Sequence, residues 1–360
     1  MASQPPKSLM PHPASPSRKT PSGVLRRLKV RAKAIGPVAI STLVLVIGFF
    51  ALPSMLALDL KIEEMSGPKV AFPVTVNPRT RTITEDPEVE AILVEDNPKL
   101  AAAVGSAGLI FEWLAGAIAS LPPYQAIAGA VGSDTTFVTI LPGYREEEVA
   151  GAFGSNLGWS ANARTTFLKD VHSTPPSLSE GQFVPGTYAI PASADAKDVH
   201  AILNDRYSKE ILARYSTTTA ELVPIDDALT IASMLERETR DPNEMRLISG
   251  IIWNRLFVGM NLQIDATLQY AKASNTNTKS WWPKVVPNDK YLKSAYNTYK
   301  YKGLPPGPIS NPSTAAVIAA LNPKKTDCLF YFHDKYGEFH CAPTYEEHVK
   351  MLKKAYGQGK

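Results

Sequence analysis

The chain has 360 residues, 44% of them hydrophobic, with a formal net charge of +4 and two cysteines. That length and apolar content allow a substantial core and more than one domain, and two thiols exclude a disulfide framework. The charge excess is local, because Lys7, Arg18, Lys19, Arg26, Arg27, Lys29, Arg31 and Lys33 precede residue 34 without a single acid between them.

Such a tail suggests nucleic acid until the next segment is read. Ala34 to Leu58 contains no charged residue and is long enough to cross the roughly 30 Å apolar core of a bilayer as a helix. Basic residues crowd its N-terminal side and Asp59, Glu63 and Glu64 follow it, so the positive-inside rule leaves the N-terminus in the cytoplasm and exports the rest. A cleaved signal peptide is the rival reading. The run is longer than an ordinary signal core, and the residues from Pro53 to Leu58 make a poor cleavage site. An uncleaved single-pass anchor in the plasma membrane is expected. Residues 1–33, rich in Pro, Ser and Lys, are expected to be disordered and to set topology or touch anionic lipid, with no nucleic-acid partner.

After the anchor, Val70 to Ile83 predicts two short strands in a membrane-proximal spacer. Ala101 to Leu121 is apolar except for Glu112; its small residues and central acid predict a buried or groove-lining helix rather than a second span. From Thr136 the pattern becomes that of a mixed domain. FVTILPG predicts a strand and turn, REEEVAGAF a helix, EGQFVPGTYAI an extended segment, and Ala196 to about Tyr215 a helix.

The segment from Leu229 to Leu262 predicts two helices separated at Asp241-Pro242, with Asp241 as N-cap, Pro242 as first helical residue and Glu244 as capping-box partner. The second helix buries Met245, Ile248, Ile252 and Leu256 and stops near Gly259. On the first, Glu238 shares the apolar stripe of Ile231, Met234 and Leu235. Glu236 lies about 200° round the wheel, given about 100° per residue, and is expected to face solvent beside Arg240. Beyond Gly259 the chain reads as long irregular loops rich in Pro and Gly, the kind that line sites. A helix from Ser313 to Leu321, a hairpin around Asp334 to Gly337 and a terminal helix from Tyr345 follow. Cys328 and Cys341 fall out of register about that turn, which argues against a disulfide. His333, His340 and His348, with Asp334 and Cys341, match no standard zinc spacing, and neither metal nor cofactor is expected.

Six blocks carry a resemblance: ASMLERET, WNRL, LQIDAT with Tyr270, AYNTY, GLPPGPISNP and TYEEH. In this order and spacing the chain resembles the endolytic murein transglycosylases of the MltG, or YceG-like, family, densely from Ile225 to about Tyr356 and more thinly from Thr136 to Tyr215. The resemblance implies an α+β chain with an N-terminal transmembrane helix at 34–58, a membrane-proximal spacer or degenerate LysM-like region at 59–134, and a YceG-like catalytic domain at 135–360. It implies a membrane-anchored enzyme that cuts peptidoglycan glycan strands beside the cell-wall synthases and leaves 1,6-anhydro ends. Its catalytic acid corresponds to Glu238, and substrate-lining roles fall on Asn254, Gln263, Asp265, Thr267, Tyr270, Tyr296, Asn297 and Thr298. A water-using muramidase with Asp265 or another carboxylate as partner and a non-catalytic glycan-binding scaffold are the competing readings. Two departures stand out: no LysM-like module is recognisable between Lys61 and Asp134, and His340 sits one position from where the family places it. Trp281 and Trp282 are read as either a sugar platform or a cap on the domain.

Overall fold

The computed structural model describes residues 51–55, 57, 70–96, 118, 135–275 and 280–357. The predicted span at 34–58 and the predicted helix at 101–121 lie outside these residues, apart from a few positions. Among the described residues, no helix is long and apolar enough to cross a membrane.

The described chain is α+β. Strands β1 (Val76–Asn77) and β2 (Thr82–Ile83) form a small antiparallel ladder, followed by α1 (Glu88–Asp96). β3 (Thr135–Ile140) pairs antiparallel with β4 (Gly186–Pro191), matching Thr135 to Pro191 and Ile140 to Gly186. Between them lie α2 (Glu146–Asn156) and α3 (Ala161–Ser173). α4 (Ala196–Glu210) and α5 (Thr217–Leu222) lead to α6 (Ile225–Glu238), α7 (Pro242–Phe257) and α8 (Asp265–Asn275). α9 (Thr314–Leu321), the hairpin β5 (Phe330–His333) and β6 (Phe339–Ala342), and α10 (Tyr345–Tyr356) complete the order.

The organising element is α6. Pro224 leads into it, Asp226 and Asp227 occupy the first turn, where the helix dipole favours acids, and the chain turns extended at Thr239. Every residue from Ala228 to Leu235 is buried, all round the helix. One side meets α7 and another meets α9, whose residues from Ala315 to Leu321 are likewise all buried. α9 is capped by Ser313, whose Oγ accepts from Ala316 N at 3.3 Å. Asp241 caps α7 as expected, accepting from the amides of Asn243 and Glu244.

This packing overturns the helical-wheel reading of Glu236. Its carboxylate accepts from Ser313 N at 2.9 Å and Ser313 Oγ at 2.6 Å, beside the start of α9, instead of facing water. A wheel drawn for one helix cannot register a second apolar helix lying over its back.

The Pro-rich loop before α9 is stitched to α6 by buried polar atoms. Ser233 Oγ accepts from Ile309 N at 3.0 Å, and Ser310 Oγ donates to the Ser233 carbonyl at 3.1 Å. Next to it, Asn311 joins the two halves of the fold. Its Oδ1 accepts from the amides of Gly181 and Phe183, and its Nδ2 donates to Tyr144 O and Glu180 Oε1. Four bonds satisfy this buried amide completely.

The residues between 70 and 96, read from sequence as part of a separate spacer, share the core of the rest. Phe72, Val76, Val89 and Leu93 belong to the same apolar cluster as α6, α7 and α9. Phe72 N donates to Arg214 O, Thr75 N to Leu321 O, and Arg214 Nε to Val70 O.

Two further differences concern the C-terminal part. α8 replaces the expected irregular loop, with Ala266, Leu268, Ala271 and Ala273 buried. Cys328 and Cys341 are bonded, with Cα atoms 5.8 Å apart. Cys341 faces Tyr331 in the ladder, but Cys328 lies before β5, where Asn254 Nδ2 holds its carbonyl and the chain is free of strand register.

α7 is pinned to the C-terminal end of α9 by Trp253 Nε1 to Ala320 O and Arg246 Nε to Asn322 O, both 2.9 Å. A Cβ at Gly250 would collide with the backbone carbonyl of Lys324. Gly250→Ala is therefore expected to destabilise the protein by about 1–3 kcal/mol through overpacking, read as a lowered urea midpoint; an unchanged midpoint would show that the segment yields freely.

Candidate active site

A cleft of about 670 Å³ opens where α6 ends. It is lined by Glu238, Arg255, Gln263, Asp265, Tyr299 and Tyr331, with Lys290, Tyr291, Phe330, Tyr345 and His348 completing the walls. Three features of the chain produce it. The break at Thr239 to Asp241 leaves Glu238 on the final turn of α6. The hairpin β5–β6 covers that end, sending Tyr331 and His333 from one face of the strand toward α6 and α7. The other face, with Phe330 and Phe332, packs on Tyr345, His348 and Tyr356 of α10. This is the alternation of a strand with a partner on each side.

Glu238 is half-buried as a residue, and protein closely surrounds its carboxyl. Burial pushes its pKa above the usual carboxylate range, and the charge of Asp265 adds to the rise. The carbonyl end of α6 acts in the same sense. Opposing them, Tyr331 donates its hydroxyl to Glu238 Oε2 at 2.9 Å, and His333 and Arg255 lie near. Arg255 is largely committed elsewhere: Nε donates to Leu329 O at 2.6 Å and Nη1 to Leu262 O. It fastens the hairpin and the turn before α8, fixing two walls of the cleft. His333 holds Glu244 at 2.7 Å, so Glu244 braces the hairpin as well as opening α7. Burial and the nearby Arg255 push the His348 imidazole below its ordinary pKa.

On the opposite wall, Asp265 begins α8 and accepts from Tyr299 OH at 2.6 Å. Burial raises the pKa of the Tyr299 phenol, and Asp265, which accepts its hydrogen bond, raises it further. Gln263, exposed at the cleft, has φ +53. A non-glycine residue there costs about 1–3 kcal/mol, and its amide is anchored to Thr298 O at 3.1 Å.

Of the nine residues singled out from the sequence, Glu238, Gln263 and Asp265 meet on this cleft. The other six are placed elsewhere, with visible partners. Asn254 Nδ2 donates to Thr326 O and Cys328 O. Thr267 and Thr298 are buried and bonded to each other at 2.8 Å, with Ile264 N on Thr298 Oγ1. Asn297 is fully buried, donating to Lys290 O and Leu292 O and accepting from Tyr299 N. Thr267, Thr298 and Asn297 shape the segments that carry Gln263, Asp265 and Tyr299, whereas Asn254 holds the chain ahead of β5. The rings of Tyr270 and Tyr296 lie 4.7 Å apart, tilted by 49°, with the Arg145 guanidinium 4.1 Å from the Tyr270 ring.

Several lining residues were not singled out. Tyr299 and Tyr345 stand inside the AYNTY and TYEEH blocks, so proximity to those motifs was an available signal. Tyr331 had only strand alternation to mark it. Trp282 packs against the domain, its Nε1 donating to Glu148 Oε2 at 3.0 Å and its ring 3.8 Å from the Arg237 guanidinium, while Trp281 is exposed, its ring 5.1 Å from the Arg145 guanidinium. His340 stacks on Phe332 at 5.1 Å. Among the described residues, Asp334, Glu338 and His340 gather ligand atoms within 4.8 Å. The Asp334 carboxylate there already accepts from the amides of Tyr336 and Glu338, closing the hairpin turn.

Comparison with known proteins agrees with this architecture. The chain is 32% identical over 174 residues to a Streptococcus pneumoniae protein named endolytic murein transglycosylase, covering 48% of this chain and 31% of that one. It is 31% identical over 176 residues to the Bacillus subtilis protein of the same name, covering 49% and 47%. The chain thus spans less than half the length of these relatives. A crystal structure of a yceG-like protein from Listeria monocytogenes superposes with a TM-score of 0.52 and 25% identity, covering 60% of this chain and 75% of that one. The YceG-like family model matches residues 120–354, and with most of its length so matched the chain belongs to the YceG-like family.

Proposed function

We propose that this chain is an endolytic murein transglycosylase, held at the plasma membrane by its apolar run at 34–58 and acting on peptidoglycan glycan strands outside the cytoplasm. The observation that carries the reading is the buried carboxyl of Glu238, raised above the usual carboxylate range on an aromatic-walled cleft. The names of the relatives support it. Cell-wall synthases, which supply nascent strands, are the partners this substrate implies.

One carboxyl suffices for the chemistry. Glu238, protonated at rest, gives its proton to the oxygen linking C1 of N-acetylmuramic acid to N-acetylglucosamine, and the C1–oxygen bond breaks. The muramyl C6 hydroxyl attacks C1, and the Glu238 carboxylate takes the hydroxyl proton, closing the 1,6-anhydro ring and restoring the acid. No water is consumed. The Asp265 carboxylate, held by the Tyr299 hydroxyl, supplies the negative charge that an oxocarbenium-like transition state needs. The presence of Asp265 on the same cleft also favours a second reading, hydrolysis with a water between two carboxylates.

Glu238→Gln is expected to lower release of murein fragments by about 10²–10⁴-fold, the usual contribution of a positioned acid–base group. Mass spectrometry of the wild-type digest should find anhydro-muramyl ends; reducing ends would establish the hydrolase, and unchanged release by the variant would leave a glycan-binding scaffold.

The same substitution has a consequence for stability. A carboxyl whose folded pKa is raised stabilises fully at pH below its unfolded pKa and loses that stabilisation as pH climbs through the folded pKa. Glu238→Gln is thus expected to melt a few degrees above wild type near neutral pH and to lose this advantage in acid. Parallel melting curves at every pH would mean that Glu238 ionises normally.

A further inference from the structure

We infer that Tyr331 is a positioning residue for this reaction: its hydroxyl occupies Oε2 of Glu238, so that Oε1 is the atom that hands the proton to the leaving group and takes it back. The inference rests on the reading of Glu238 as the acid and base.

The contact favours one arrangement of the proton. Tyr331 donates to Oε2 at 2.9 Å. The carbonyl oxygen of a neutral carboxyl accepts such a bond far better than the hydroxyl oxygen, so the phenol makes Oε2 the carbonyl and leaves the acidic proton on Oε1. Burial holds the phenol of Tyr331 well above its ordinary pKa, so it stays a donor. When Glu238 gives up its proton, the bond becomes charge-assisted and stronger. Tyr331 therefore stabilises the carboxylate at the moment it forms, without exchanging a proton itself.

The placement of Tyr331 is over-determined. Its ring stacks on Phe339 at 5.8 Å with 23° between planes. Its backbone sits opposite Cys341, which is tied to Cys328. Its neighbour on the same strand face, His333, is held by Glu244 of α7. The hydroxyl is thus aimed by a strand braced on both sides.

Other charged and titratable groups also face the Glu238 carboxyl: Asp265 of α8, Tyr299 of the loop before α9, Arg255 of α7 and His333 of β5. Lys290 and His348 share the cleft. Among the described contacts of Glu238, the bond from Tyr331 is the direct side-chain hydrogen bond, so its removal has a distinct signature.

The test compares the full-length wild type, Tyr331→Phe and Glu238→Gln by release of anhydro-ended fragments from purified murein across pH. Activity needs protonated Glu238 and falls as pH rises through its pKa. Losing a donor to the carboxylate raises that pKa. Tyr331→Phe is therefore expected to lower the maximal rate by about 10–100-fold and to move the falling limb up by about one pH unit. A lower rate with an unmoved limb would mean a merely structural Tyr331 and overturn the inference, as would wild-type behaviour. Replacing Tyr331 by 3,5-difluorotyrosine, which keeps shape and donor while strengthening the bond, should move the limb down, and no movement would equally overturn it. Full activity in Glu238→Gln would instead sink the underlying reading, so the two failures are distinguishable.

Discussion

A carboxyl that is to donate a proton near neutral pH has to be kept from water by a scaffold that does not relax around it, and the rigidity of α6 supplies that condition. The helix is buried from Ala228 to Leu235 because α7 and α9 close on different sides of it. Its last turn emerges where the chain breaks toward Asp241, so Glu238 inherits the immobility of the core while its carboxyl reaches the cleft. Close packing leaves little room for such a group to find a better-solvated rotamer. Neighbouring Glu236 shows the other fate of a buried acid: burial raises its pKa, and bonds from Ser313 oppose the rise.

The walls of the cleft depend on the same economy of polar contacts. Arg255 spends its guanidinium on the carbonyls of Leu329 and Leu262, which ties the hairpin and the entry to α8 to a single helix. Thr267, Thr298 and Asn297 fasten the loop of Tyr299 to the segment of Gln263. Residues with no place on the cleft thereby decide where those that line it point. The left-handed backbone of Gln263 persists because this lattice of bonds surrounds it.

Much of this was legible in the sequence where a signal is local. Asp241 as a cap, the two-helix segment, the helix ending at Leu321, the hairpin and the terminal helix follow from composition within a few residues. Glu238 was separable from Glu236 on a wheel, although Glu236 then proved to lie under α9 instead of in solvent. What stayed hidden depends on partners distant in the chain. Tyr331 is ninety-three positions from the carboxyl it touches. The Cys328–Cys341 bond depends on a segment ahead of β5 that Asn254, far back in the chain, holds by the carbonyls of Thr326 and Cys328. Polar residues within motif blocks look alike in sequence whether they line a cleft or brace a loop; Asn297 and Gln263 part company only once burial is known.

The family match begins at residue 120, yet the core draws on residues well before it. Phe72 and Val76 belong to its apolar cluster, Thr75 N donates to Leu321 O at the end of α9, and the buried guanidinium of Arg214 donates to the carbonyl of Val70. The boundary suggested by homology is therefore not the boundary of the folding unit. An excised piece starting at residue 120 would expose the flank of the helices that hold Glu238, leaving a sticky, aggregation-prone surface on a nominally complete domain.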